Sequence, residues 1–394
     1  MNHADTLAPS LASWQQRALI VGVPALALCG VGAVLGTEQF FQSYLLGYLF
    51  WLGLTLGSFA LLALHHLVGG GWGFSIQRLL ESSSRTLPLM IVLFLPLAFG
   101  LQELYLWARP EAVSGDAVLQ HKARYLNVPF FTARTLAYFA IWALLIFFLN
   151  RWSKLQDQSG DLMLTRRLRQ LSGPSLVLYV LTLTFASVDW VMSLDPHWYS
   201  TIYGVLFVVG QGLLTLAFAI VVVARLSQHP PLAEVMGAKH FHDLGNLMFA
   251  FVLLWAYVSF SQFLIIWSGN LPEEIPWYLH RLHGGWQWLS LALVVFHFAL
   301  PFVLLLSRKM KRRVELLVKV AVGMIVMRFL DLFWLIAPSF HAEAFALHWL
   351  DVAAPVGIGG LWIAYFVRQL KDRPLLPLRD PRVEIAFSHK EHSH

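Results

Sequence analysis

The stretch Phe41-Gln-Ser-Tyr-Leu-Leu-Gly-Tyr-Leu-Phe-Trp-Leu-Gly-Leu-Thr-Leu-Gly-Ser-Phe-Ala-Leu-Leu-Ala-Leu-His-His-Leu-Val68 contains no Asp, Glu, Lys or Arg. As a helix rising 1.5 Å per residue it is long enough to cross the roughly 30 Å hydrocarbon core of a bilayer. Nine more apolar runs accompany it, near 18–36, 86–108, 129–151, 174–194, 202–224, 244–268, 284–307, 314–336 and 350–370. The sequence therefore predicts an all-α polytopic membrane protein of about ten transmembrane helices. Composition agrees: of 394 residues 58% are hydrophobic and 13% charged, against about 25% charged in soluble domains. Mean hydropathy is +0.63. A soluble enzyme, a disordered chain and a nucleic-acid binder are excluded on this ground.

The expected organisation is an N-terminal tail over 1–17, a transmembrane domain over 18–370 and a C-terminal tail over 371–394. The first run follows a polar leader with a single Arg17 and no small-residue cleavage pattern, so it reads as a retained helix. The loops 109–128 and 152–173 are too short for a separate domain. Basic residues set the orientation. They concentrate in 151–169, 308–313 and the tail from Arg368 to Lys390, whereas the other side has Arg109, Lys122, Arg124 and Arg281. Positive loops stay inside, which places both termini in the cytoplasm. Tryptophans are biased the other way: Trp107, Trp190, Trp198, Trp267, Trp277, Trp286, Trp288, Trp334 and Trp349 mark the outer boundary, but Trp14, Trp72 and Trp152 the inner one. An interfacial belt and an outer docking surface for a partner both account for that bias.

Ionisable groups in hydrocarbon are costly and mark candidate sites. Glu103, Arg134, Asp189, Arg328 and Asp331 are expected roughly 8–12 Å below the outer boundary. Arg328 and Asp331 are spaced i, i+3 and can pair on their own helix. Arg134 can neutralise only one of Glu103 and Asp189, so one carboxylate is left to exchange protons unless pairing is structural throughout. A polar file runs along the second span: Tyr44, Tyr48, Thr55, Ser58, His65 and His66 share an arc of about 100°. Ser175, Thr182 and Asp189, spaced seven apart, repeat the pattern in the fifth. The two files could order a chain of waters, or they could be interhelical hydrogen bonding of the kind membrane bundles use routinely. His297, midway along the eighth span, is a lone histidine, either a bundle residue or a relay.

No span carries the paired histidines of a b-type dihaem bundle, and no set with metal-ligand spacing is present. One cysteine, Cys29, excludes a disulfide framework, a CxxCH haem site and a Cys-ligated iron–sulfur cluster within the chain. The expectation is no cofactor in this chain.

Three stretches carry a family resemblance: Tyr48-Leu-Phe-Trp-Leu-Gly-Leu-Thr-Leu-Gly-Ser-Phe59, Ala186-Ser-Val-Asp-Trp-Val-Met-Ser-Leu-Asp-Pro-His-Trp-Tyr-Ser-Thr-Ile-Tyr-Gly204, and the segment from Asp243-Leu-Gly-Asn-Leu-Met248 through Ser268-Gly-Asn-Leu-Pro-Glu-Glu-Ile-Pro-Trp-Tyr278. With the ten spans they resemble the second large membrane subunit of bacterial alternative complex III, a quinol:cytochrome c oxidoreductase. The resemblance implies a polysulfide-reductase-like fold of two four-helix bundles, spans 2–5 and 6–9, with spans 1 and 10 peripheral. It also implies partners: a sister ten-helix subunit, a periplasmic iron–sulfur protein, multihaem and monohaem c-type cytochromes, and in some assemblies a terminal oxidase. The partners would carry the c-type haems and iron–sulfur clusters, with this chain as scaffold and proton half-channel. One alternative makes this chain the quinol-binding anchor, which requires a cavity near the outer polar cluster, with Asp189, His197 or Glu103 accepting protons. A secondary transporter is the other, but the pair of matching Gly/Pro-broken helices such a fold uses is not evident.

Overall fold

The computed structural model describes residues 4–230, 232–377 and 379–380. The basic tail beyond 380, with His389, Lys390, His392 and His394, lies outside the described residues. Ten helices are long and apolar enough to cross a membrane, and no strand occurs among the described residues. They are α1 (Ala4–Leu35), α2 (Thr37–Val68), α3 (Gly71–Phe99), α4 (Val128–Ser159), α5 (Leu162–Trp190), α6 (Tyr203–Leu226), α7 (Ala238–Gly269), α8 (Trp286–Leu306), α9 (Val314–Ile336) and α10 (Leu350–Lys371). The face where α1 begins and α10 ends is called the termini face below, and the opposite one the far face.

Spans 2 and 4–10 lie close to their expected positions. The third is corrected: it runs Gly71–Phe99, not 86–108. Its first half, Gly71–Ser84, is polar enough in Gln77-Arg-Leu-Leu-Glu-Ser-Ser-Ser84 to resemble a loop by hydropathy alone. Buried partners on α4 keep it helical. Breaks at Thr86 and Phe94 precede Pro88 and Pro96, which sit in the first turns of the helical pieces they open and lack the N–H that a continuous helix needs. The stretch 152–173, expected as a loop, is almost entirely helix. α4 ends on left-handed Gly160 (φ 66), and Asp161 caps α5 by accepting from Met163 N at 2.8 Å. Asn127 caps α4 in the same way, accepting from Phe130 N at 2.9 Å. Helix α1 begins at Ala4, so the stretch before residue 18 is also helical.

Helices α2–α5 form one bundle and α6–α9 a second, joined where α6 packs on α2 and α5. α2 and α6 are the most buried spans. α1 is peripheral and rests chiefly on α10. The two helices approach so closely that a Cβ on Gly22 would lie 2.6 Å from Gly360 Cα, a crossing only small residues permit. α10 is less peripheral than expected: Trp362 is fully buried and donates to Thr55 Oγ1 of α2 at 2.9 Å.

Candidate functional site

In the first bundle, Asp189 near the far-face end of α5 is completely buried, and both of its oxygens are taken. Arg134 of α4 donates Nε to Oδ2 at 2.9 Å and Nη2 to Oδ1 at 2.8 Å, and Tyr138 donates to Oδ2 at 2.7 Å. The guanidinium also donates to Tyr125 O at 2.9 Å and lies 3.8 Å from the Tyr125 ring centre. This is a bidentate, hydrogen-bonded ion pair. Glu103 is not its competitor. It lies beyond the end of α3, in the short helix Leu101–Leu104, half-exposed at the far face. The expectation that it lies within a span is corrected, because α3 begins and ends earlier than hydropathy suggested.

The polar files are buried, but their members bond locally. Ser58 donates to Leu54 O at 2.7 Å, Ser175 to Leu171 O at 2.8 Å and Thr182 to Leu178 O at 2.6 Å, each to the carbonyl one turn back. Thr182 also accepts from Trp142 Nε1 at 2.8 Å, and Thr55 meets Thr86 at 2.8 Å. Tyr44 donates to Leu93 O at 2.9 Å, where the break in α3 frees a carbonyl. Tyr48 is buried against Phe94 without a hydrogen bond on its hydroxyl. His65 and His66 are buried at the termini face, with the His65 ring 4.6 Å from Phe74. The files are brought together in one bundle as interhelical and backbone bonding.

Hydropathy concealed a charge cluster at the termini face. Glu81 of α3 is fully buried and accepts from Arg78 Nη1 at 2.7 Å, Gln77 Nε2 at 3.0 Å and Arg373 Nη1 at 2.9 Å. Arg78 also pairs with Asp157 of α4, and Arg373 reaches Asn150 O at 3.1 Å. The i, i+3 spacing of Arg78 and Glu81 was the available signal, but only in a helix.

The second bundle differs. Arg328 and Asp331 of α9 pair as their spacing predicts, both buried, and Gly210 of α6 leaves room for the guanidinium. Trp255 of α7 donates Nε1 to Asp331 Oδ2 at 3.2 Å. Both hydrogen bonds to Asp331 fall on Oδ2. His297 is fully buried, its ring centre 4.1 Å from that of Trp255, with neither nitrogen hydrogen-bonded. It sits in a π-helical turn, Leu293–Ala299, a local widening often found at functional sites. Pro301 supplies the cause, since it has no N–H to return to the His297 carbonyl.

Beside this cluster is a cavity of about 800 Å³ between α7, α8 and α9, to whose wall the short helix Pro276–His280 contributes Tyr278. Its wall is mostly apolar, with Trp255, Gln262, Tyr278, Arg281, Asp331 and Trp334 among its polar points. Cavities of roughly 300–1,000 Å³ with few convergent polar groups are the usual form of small-molecule sites. Arg281, read in sequence only as a topology marker, is one of them. Among the described residues no group of three or more His, Cys, Asp or Glu side chains comes together to hold a metal ion. No family model and no curated protein matches the chain.

Proposed function

We propose that this chain is an integral-membrane subunit of a quinol:cytochrome c oxidoreductase of the alternative complex III kind, and that it holds a quinone in its second bundle. The observation that carries the reading is Asp331: one carboxylate oxygen is fixed by Arg328 and Trp255, and Oδ1 is left towards an apolar cavity of about 800 Å³. Bound there, a quinol would donate one hydroxyl to Oδ1. Oxidation releases two electrons and two protons. The electrons pass to an iron–sulfur or haem-bearing partner on the far face, Asp331 accepts the first proton, and the second leaves from the opposite hydroxyl to water at that face. The first bundle acts as scaffold, its charges being consumed in pairs. The far face is periplasmic on this reading, both termini cytoplasmic, and the sister membrane subunit packs alongside in the bilayer.

The test is purification through a tag on this chain from its native membrane. Co-migration of c-type haem absorbance and of quinol:cytochrome c activity, lost on Asp331→Asn, supports the proposal. A chain that elutes alone, without haem, from membranes that oxidise quinol normally in its absence overturns it.

A further inference from the structure

The quinone reading uses one polar point of the cavity and leaves two donors on its wall unexplained. Arg281 is 2% exposed, yet no carboxylate lies within ion-pair distance of it among the described residues. Its guanidinium donates from Nε to Trp334 O at 3.1 Å, from Nη1 to Trp277 O at 2.7 Å and from Nη2 to Leu335 O at 3.0 Å. It also lies 3.4 Å from the Trp277 ring centre. Three of its five N–H groups are thereby used. Tyr278 accepts from Gln262 Nε2 at 3.3 Å and donates its own proton to no described group. Both residues line the cavity.

The backbone sets the spacing. Trp334 and Leu335 follow Asp331 by three and four residues on α9, about one helical turn or roughly 5 Å towards the far face. The cation anchored on their carbonyls and the carboxylate of Asp331 therefore occupy neighbouring levels of one wall. Donors stand at the outer level and an acceptor one turn deeper. Burying a cation without a counter-charge is unfavourable unless its donors find acceptors. The carbonyls of Trp277, Trp334 and Leu335 supply part of that, and an occupant can supply the rest.

We infer that Arg281 and Tyr278 are the head-group readers of this cavity: they donate to one oxygen of a ring whose opposite oxygen donates to Asp331. The apolar tail leaves between α7 and α8, past Leu253, Tyr257, Leu291 and Val294, which are exposed towards the hydrocarbon. This rests on the quinone reading above and adds the orientation of the head. An anionic phospholipid also offers acceptor oxygens, so it is the competing source of the same chemistry.

The test uses the full chain in phosphatidylcholine nanodiscs, titrated with decylubiquinol kept reduced and followed by tryptophan fluorescence, since Trp255 and Trp334 line the site and Trp277 stacks on Arg281. Saturable quenching is expected in the wild type. Tyr278→Phe, which removes one donor and keeps the ring, should weaken quinol binding about 3- to 10-fold. Arg281→Lys, checked for retained thermal unfolding, should weaken it at least as much. Unchanged affinity in Tyr278→Phe and in a folded Arg281→Lys overturns the head assignment and leaves the quinone site standing. No saturable quenching in the wild type overturns the quinone reading itself. If dioleoylphosphatidic acid displaces the quinol and Tyr278→Phe weakens only the lipid, the donors serve a lipid phosphate and the inference is overturned.

Discussion

Arg134 engages both carboxylate oxygens of Asp189, at 2.9 and 2.8 Å, inside the first bundle. Nothing of that carboxylate is left for a substrate or a proton wire. In the second bundle, Arg328 and Trp255 share one oxygen of Asp331, and the other is open to a cavity. Two pairs of the same composition thus differ in which carboxylate oxygens are bonded.

Asp189→Asn should act on assembly. Breaking one member of a buried pair costs roughly 3–5 kcal/mol, and Tyr138 loses its charged acceptor as well. A membrane blot and thermal unfolding in detergent should both show the loss. A double replacement, Arg134→Met with Asp189→Leu, should recover most of it. Normal abundance of Asp189→Asn with depressed turnover is the result that would return this acid to a proton path.

Asp331→Asn keeps an acceptor for Arg328 and Trp255 but cannot take a proton. It also leaves the buried Arg328 charge unneutralised, so abundance should fall as it does for Asp189→Asn. Turnover per assembled complex should fall about 10²-fold further, in line with removal of a positioned base. Loss of abundance with unchanged turnover per assembled complex would reduce Asp331 to a structural partner of Arg328.

The cluster at the termini face should govern stability. Glu81→Gln weakens the bonds to both Arg78 and Arg373. The expected cost is again roughly 3–5 kcal/mol. Arg373→Ala removes one cation from a carboxylate that keeps Arg78, so its loss in thermal unfolding should be smaller. The reverse order would show that the segment after α10, through Arg373, contributes more than the α3 pair.

At the far face, the hydrogen bond from His197 holds the Asp116 carboxyl below its ordinary range, with help from Leu119 N and Val118 N. The sign follows from linkage. A depressed carboxyl contributes stability that is present above its unfolded value of about 3.9 and is lost as pH falls through the lower folded value. Hydrogen exchange of residues 110–122, corrected for intrinsic rates, should therefore be slow near neutral pH and speed up in strong acid. In Asp116→Asn that acid-dependent step should vanish.

Span number was legible in the chain because hydrocarbon tolerates no unpaired backbone polar groups, so each crossing needs its own apolar helix. The Arg328–Asp331 pair was legible too, because its spacing lies within one helix. What hydropathy hid was the first half of α3: Arg78 and Glu81 look like loop residues until Ser153 and Asp157 of α4 and Arg373 beyond α10 close around them. Misplacing α3 in turn made Glu103 look buried. Tertiary structure alone decided which acid is saturated, because Arg134 and Asp189 lie 55 residues apart in sequence. It alone placed Arg281 from a loop against carbonyls of α9 and opened a cavity beside Asp331. Local periodicity reports which residues share a helix face. Which faces meet, and which polar atoms remain free when they do, depends on packing between segments distant in the chain.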